Sequence, residues 1–180
     1  MIYWRTMEEG LKKAEQTAFA RTLLLDALRK EYGITRLPEI TRTPYGKPYF
    51  LNYPELYFNY SHSKHAAACV LSKQAVGIDL EQIRNYSEKT AQRFCSQGEW
   101  SWLQRQPDQN KAWIQIWTMK EAWLKIPWNR AACGSSRPGF YSGTGKCICT
   151  EGDHCVGTWT DAYCLYVFLF YRRFLDVCVW

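Results

Sequence analysis

Two thirds of this 180-residue chain has little cysteine: of 8 in all, Cys69 and Cys95 precede residue 126, while Cys133, Cys147, Cys149, Cys155, Cys164 and Cys178 crowd the remainder. A disulfide framework is thereby excluded for the first part. Met1-Ile2-Tyr3-Trp4-Arg5 lacks the basic and long apolar regions of a secretory signal, so a cytoplasmic location is expected. The longest late apolar run, from Ala162 to Tyr171, falls far short of the roughly 20 residues of a membrane span, and no membrane association is expected. Neither a repeat at solenoid spacing nor a low-complexity linker interrupts the chain.

What is present is an ordinary globular composition. Hydrophobic residues at 47% and charged residues at 22% argue against disorder and for a sizeable core. The net charge of +6 favours an anionic partner: nucleic acid, a phosphate-bearing cofactor or an acidic protein.

Met1–Thr6 reads as a short strand. From Glu8 to Tyr32, Leu11, Ala14, Ala18, Leu25 and Leu28 recur at three- and four-residue spacing and end at Gly33, which predicts a long helix with a glycine C-cap. The stretch from Leu37-Pro38 to Lys47-Pro48 reads as loop, because its prolines lack donors and restrict their predecessors. Tyr57–Tyr60, Ala66–Leu71 and Val76–Leu80 read as strands, the last two joined in a hairpin by Ser72-Lys73-Gln74-Ala75. Helices are expected after Ser87, from the capping box Ser96-Gln97-Gly98-Glu99, and from Lys111 to about Lys125 with Asn110 as cap. The order of elements is that of an α+β fold.

Three segments carry chemistry. In Gly77-Ile78-Asp79-Leu80-Glu81 the strand period of two puts both carboxylates on one face, where they repel unless a cation lies between them. A hard divalent ion such as Mg²⁺, completed by water and phosphate oxygens, suits such a pair. In Trp117-Thr118-Met119-Lys120-Glu121-Ala122-Trp123-Leu124-Lys125, residues Trp117, Glu121 and Lys125 share one helical face, and Glu121 is a candidate third oxygen ligand. Phe58-Asn59-Tyr60-Ser61-His62-Ser63 places a hydroxyl and an imidazole just beyond a strand, where both can donate to phosphate. Each segment alone has a plainer reading: a solvated strand end, a surface Glu–Lys pair, a structural histidine.

As a set the segments are more specific. Gly46-Lys47-Pro48, Phe58 to Ser63, Gly77 to Glu81, Arg93-Phe94-Cys95-Ser96 with Glu99, and Trp117 to Ala122 follow one another in the order and spacing of one family. From about Ala20 to Lys125 the chain resembles the phosphopantetheinyl transferase superfamily, in its larger, surfactin-synthetase-activating (Sfp-type) branch. The resemblance implies two similar α+β halves related by a pseudo-twofold axis, with coenzyme A between them. It implies transfer of the phosphopantetheine arm of coenzyme A to a serine of an acyl or peptidyl carrier protein, by a monomer that uses Mg²⁺ or Mn²⁺. Asp79, Glu81 and Glu121 would hold the metal. Arg21, Lys47, Ser61, His62 and Lys125 would bind coenzyme A, and Glu121, Lys125 and His62 would serve the transfer, with Glu121 as base.

The resemblance breaks after Lys125. Where the family continues Lys-x-x-Gly-x-Gly-Leu, this chain has Ile126-Pro127-Trp128-Asn129-Arg130-Ala131. If Lys125 to Ala131 are coded AAA ATA CCT TGG AAC AGG GCT, loss of one A yields Lys-Tyr-Leu-Gly-Thr-Gly-Leu. The expectation is a family region over residues 1–125 and an unmatched Cys-rich tail over 126–180, out of frame, that leaves the second half incomplete, the surfaces around Trp113 and Trp117 exposed and activity impaired. A divergent metal-binding tail through Cys147, Cys149, His154 and Cys155 is the competing reading, though the spacing is not that of a regular zinc site. For the whole chain the alternatives are a noncatalytic remnant that binds coenzyme A or a partner, and a basic nucleic-acid-binding module. The second leaves Asp79 and Glu81 unexplained and finds the basic residues dispersed.

Overall fold

The computed structural model describes residues 1–126, 153–159 and 162–170. Its element order is β1 (Ile2–Thr6), α1 (Lys13–Tyr32), β2 (Ile40–Arg42), β3 (Pro48–Phe50), β4 (Tyr57–His62), β5 (Ala66–Ser72), β6 (Val76–Gln82), α2 (Glu88–Phe94), α3 (Gln97–Leu103), α4 (Gln109–Leu124), β7 (Asp153–Trp159) and β8 (Tyr163–Phe170). The α+β class expected from the sequence is what is found.

Helix α1 begins at Lys13, five residues later than the spacing predicts, where Glu15 accepts from the Lys12 N–H at 2.7 Å and caps the first turn. It ends as expected: Gly33 takes the left-handed conformation at φ 68°, and its N–H returns to the Arg29 carbonyl. The buried face is Ala20, Leu23, Leu24, Ala27 and Leu28, whereas Ala14 and Ala18 are exposed and Leu25 is half-buried. Alanines are too short to mark a face, so the leucines settle the phase. That face packs on Phe50, Phe58, Ala67, Cys69 and Leu71.

The Pro-rich stretch is more ordered than its composition implies. β2 and β3 pair antiparallel, Ile40 opposite Phe50 and Arg42 opposite Pro48. Pro44 falls in the turn and Pro48 opens β3, two places where a missing donor does little harm. Gly46, at φ 81°, closes the turn by donating to the Thr43 carbonyl.

Strands β1, β5 and β4 form one antiparallel sheet and β6, β8 and β7 another. The expected β5–β6 hairpin is therefore a connection between sheets and not a ladder. β5 is buried on both faces, with Ala67, Cys69 and Leu71 toward α1, and Ala66, Ala68 and Val70 packed with Val76, Ile78 and Leu80 of β6. β6 meets β4 through a side chain, the Asn59 amide oxygen accepting from the Ile78 N–H at 3.0 Å.

The helical region follows the capping signals with one change. Ser96 and Glu99 form the expected box, the Ser96 N–H donating to Glu99 at 2.6 Å and the Glu99 N–H to Ser96 at 3.3 Å. Asp108 caps α4 by accepting from the Lys111 N–H at 2.9 Å, while Asn110 instead accepts from the Tyr86 N–H. Asp and Asn are near-equal N-caps, so sequence alone does not choose between neighbours.

The expectation that the tail supplies no strands to the first half is not met over 153–170. β8 pairs antiparallel with β6, Asp79 opposite Tyr166 and Glu81 opposite Cys164, and β7 pairs with β8. Leu165 and Val167 join Ile78 in one core cluster, and Cys164 joins Trp113 in another. Trp113 is thus 6% exposed. The proposed cysteine ligands Cys147 and Cys149 lie outside the described residues.

Helix α4 lies on β6 at a very short distance. A Cβ on Gly77 would come within 2.0 Å of the Ala122 carbonyl oxygen and 3.1 Å of the Ile126 nitrogen. Backbone on that side cannot rotate away as a side-chain tip could. Gly77→Ala should therefore lower unfolding free energy by about 1–3 kcal/mol, the range of core overpacking, read as a lower urea midpoint at unchanged m-value. An unchanged midpoint would show that α4 can lift off β6 at no cost.

Candidate active site

The close approach at Gly77 sets α4 along the acidic face of β6, and the two elements touch at both ends of the contact. At one end the Lys125 ammonium lies 2.6 Å from Asp79 Oδ1 and donates to Ser61 Oγ at 3.0 Å. Ser61 itself donates to Asp79 Oδ1 at 2.8 Å. At the other end the Trp117 indole bonds Glu81, whose second neighbour is Arg84 at 3.0 Å. Glu121 falls between Trp117 and Lys125 on the same helical stripe.

The predicted alternation along β6 is present. Ile78 and Leu80 are in the core, and Asp79 is 4% exposed on the other face. Asp79 Oδ2 is buried without a hydrogen-bond partner. Burial, and then the nearby Asp79 charge, push the Glu81 carboxyl above its ordinary range. A buried orphan oxygen beside a carboxylate that is reluctant to ionise is an arrangement that a divalent cation would relieve, so the donor chemistry fits Mg²⁺. Among the described residues no group of three or more His, Cys, Asp or Glu side chains gathers closely enough to hold a metal ion. Glu121 is thus not clustered with Asp79 and Glu81 in this conformation.

The bases are brought together from distant segments. His62 ends β4, and its Nε2 lies 3.2 Å from Thr17 Oγ1 on α1. Burial lowers its pKa, followed by the charges of Lys125 and Lys13. Lys13, Thr17 and Arg21 occur at i, i+4 and i+8 on α1, one stripe on the His62 side of the helix, and Arg21 is exposed. Lys13 and Thr17 escaped the sequence reading because lysine and threonine on a helix surface carry no signal of their own; their spacing to Arg21 was the available clue.

Lys47 makes backbone contacts that its place ahead of Pro48 does not reveal. Its ammonium donates to the carbonyls of Val76 and Lys125, each at 2.7 Å. It ties the start of β6 to the end of α4, and it lines a cavity of about 180 Å³ with Tyr45, Pro48, Asn59 and Lys125. Behind the site, Lys120 and Glu99 form an ion pair at 2.7 Å, with side chains 3% and 0% exposed, and Lys120 also donates to the Phe94 carbonyl at 2.7 Å. This pair fixes the rotation of α4 one residue from Glu121, and loss of either partner would strand the other's charge in the core.

Comparisons with known proteins bear on the same residues. Positions 75–134, which contain β6 and α4, match the 4'-phosphopantetheinyl transferase superfamily. The chain is 31% identical over 136 residues to the 4'-phosphopantetheinyl transferase gsp of Aneurinibacillus migulanus, covering 66% of this chain and 56% of that protein. It is 30% identical over 115 residues to the 4'-phosphopantetheinyl transferase Sfp of Bacillus subtilis strain 168, covering 62% and 51%. With a putative 4'-phosphopantetheinyl transferase of Haemophilus influenzae it shares 38% over 112 residues, covering 57% and 47%. The chain spans about half the length of the curated relatives it matches. With the acidic strand and the Lys-Glu-Ala helix of the matched segment packed into one site, the chain is similar over these residues to the phosphopantetheinyl transferase superfamily and to relatives of its Sfp-type branch.

Proposed function

We propose that this chain transfers the phosphopantetheine arm of coenzyme A to a serine hydroxyl of an acyl or peptidyl carrier protein. The observation that carries the proposal is the buried, unpartnered Asp79 Oδ2 beside Glu81, with Lys125 and Ser61 on the other oxygen of Asp79 and His62 within range of the Lys125 charge. Asp79 and Glu81, with Glu121 from the facing helix, would hold Mg²⁺ or Mn²⁺. When bound, the ion would neutralise charge on the pyrophosphate of coenzyme A.

The protein's own groups do the rest by position and charge. Lys125 uses two of its three donors on Asp79 and Ser61, which leaves one for a phosphate oxygen. Lys13 and Arg21 form a positive wall on the α1 side, with His62 beside it, suited to a phosphate monoester. Transfer forms a bond from the carrier serine oxygen to the β-phosphorus and breaks the bond from that phosphorus to the bridging oxygen. Adenosine 3',5'-bisphosphate leaves with the electron pair. Glu121 accepts the serine proton, a role for which its place between the two α4 contacts serves it. Purified chain with Mg²⁺, coenzyme A and a carrier protein should give the phosphopantetheine mass gain on one serine, and Asp79→Asn or Glu121→Gln should slow it by about 10²–10⁴-fold. An unmodified carrier with wild type, or equal rates in the variants, would refute the assignment.

The role of Lys47 follows from its contacts. Since it holds the Lys125 and Val76 carbonyls, its first effect is on the placement of Lys125, beyond any contact with coenzyme A. Lys47→Met should therefore lower kcat more than it raises KM for coenzyme A. A pure rise in KM would return it to simple ligand binding.

The domain reading is residues 1–125 as the transferase region and 126–180 as a segment whose frame is in question. An in-register β8 with Leu165 and Val167 in the core favours a displaced stretch that ends before Asp153. Resequencing from the Lys125 codon to the Asp153 codon should reveal a slipped base in the adenine run and a compensating one downstream. A gene confirmed base for base as translated here would end that proposal.

A further inference from the structure

Thr17 has no part in the transfer itself, yet it touches His62, which has one. Its hydroxyl donates to the Lys13 carbonyl at 2.9 Å, one turn back along α1. A threonine hydroxyl has a single proton. With that proton committed to Lys13, the oxygen can take part in its 3.2 Å contact with His62 Nε2 as an acceptor alone. Nε2 must then carry the hydrogen, and in a neutral imidazole Nδ1 is a bare lone pair.

The His62 ring is half-buried, and no described residue bonds its Nδ1. The ring therefore presents to an incoming ligand an atom that accepts. A phosphate monoester has several acceptor oxygens and no donor when fully ionised, so it cannot bond this ring until the ring gains a second proton. We propose that Thr17 is a positioning residue that holds His62 in its Nε2–H form, so that a phosphate anion is captured at Nδ1 together with a proton. This rests on the anion-binding role given to His62 under Proposed function.

The surroundings agree. The charges that bear on His62 among the described residues are Lys13 of α1 and Lys125 after α4, both positive, and burial acts in the same direction. The free ring is thereby kept neutral near pH 7, and an anion between it and the lysines would reverse the sign of the local field. The ring's pKa is low in the free protein and raised in the complex, so a proton is taken up on binding between those two values. Affinity then falls as pH rises through that window, by at most about tenfold per pH unit.

The test has two parts, both on the full chain. In the first, ¹⁵N correlation spectra of the ligand-free protein report the His62 tautomer. Nε2–H is expected for wild type, a mixture or Nδ1–H for Thr17→Val, and restoration for Thr17→Ser. In the second, titration calorimetry with adenosine 3',5'-bisphosphate near pH 7, in two buffers of different ionisation enthalpy, should show uptake approaching one proton, lost in His62→Gln. Nδ1–H in free wild type with normal binding would overturn the role of Thr17 and leave the functional reading standing. Buffer-independent heats would overturn the proton coupling. No binding of the bisphosphate would overturn the coupling and the functional reading together.

Discussion

The site depends on how near α4 can come to β6. Without a side chain at Gly77, the helix rests its Ala122 carbonyl where a Cβ would otherwise be. At that separation Lys125 reaches Asp79 and Trp117 reaches Glu81. A helix held farther out by the bulk of one methyl group would move both pairs beyond hydrogen-bond range, since such bonds weaken steeply outside about 3.2 Å. Coupling the acidic strand to the Lys-Glu-Ala helix is therefore a matter of backbone packing before it is one of charge.

Around that contact the protein places charge in layers. The Lys120–Glu99 pair is fully buried and fixes the helix's rotation, the Lys125–Asp79 pair is partly open, and the Lys13–Thr17–Arg21 stripe faces outward. Desolvation makes the innermost pair the least tolerant of loss. The outermost, screened by water and salt, is free to engage a ligand.

Much of this was legible from residue order. The strand period placed Asp79 and Glu81 on one face, helical spacing aligned Trp117, Glu121 and Lys125, and Gly33 and the Ser96–Glu99 box closed their helices where the sequence put them. What escaped it were relations with no local signature. Nothing in Ser72 to Ala75 says that β6 leaves the sheet of β5, because the choice is made by β8, some ninety residues away. Glycine at 77 reads as a weak strand residue until the helix it admits is in place. Thr17 and Lys13 gain meaning when α1 is packed beside the end of β4, and Lys47 when the carbonyls of Val76 and Lys125 are seen to converge on it.

That convergence has a consequence for how the site meets its ligand. A single ammonium joins three stretches of chain separated by tens of residues, and both its carbonyl partners belong to the elements that carry Asp79 and Lys125. If a phosphate draws the ammonium toward itself, the two carbonyls lose their donor and the end of α4 is released from the start of β6. Ligand capture and helix docking would then compete for one cation, and tightening the first would loosen the second. Such a knot would relay occupancy of the cavity to the helix that bears Glu121, with no moving domain required.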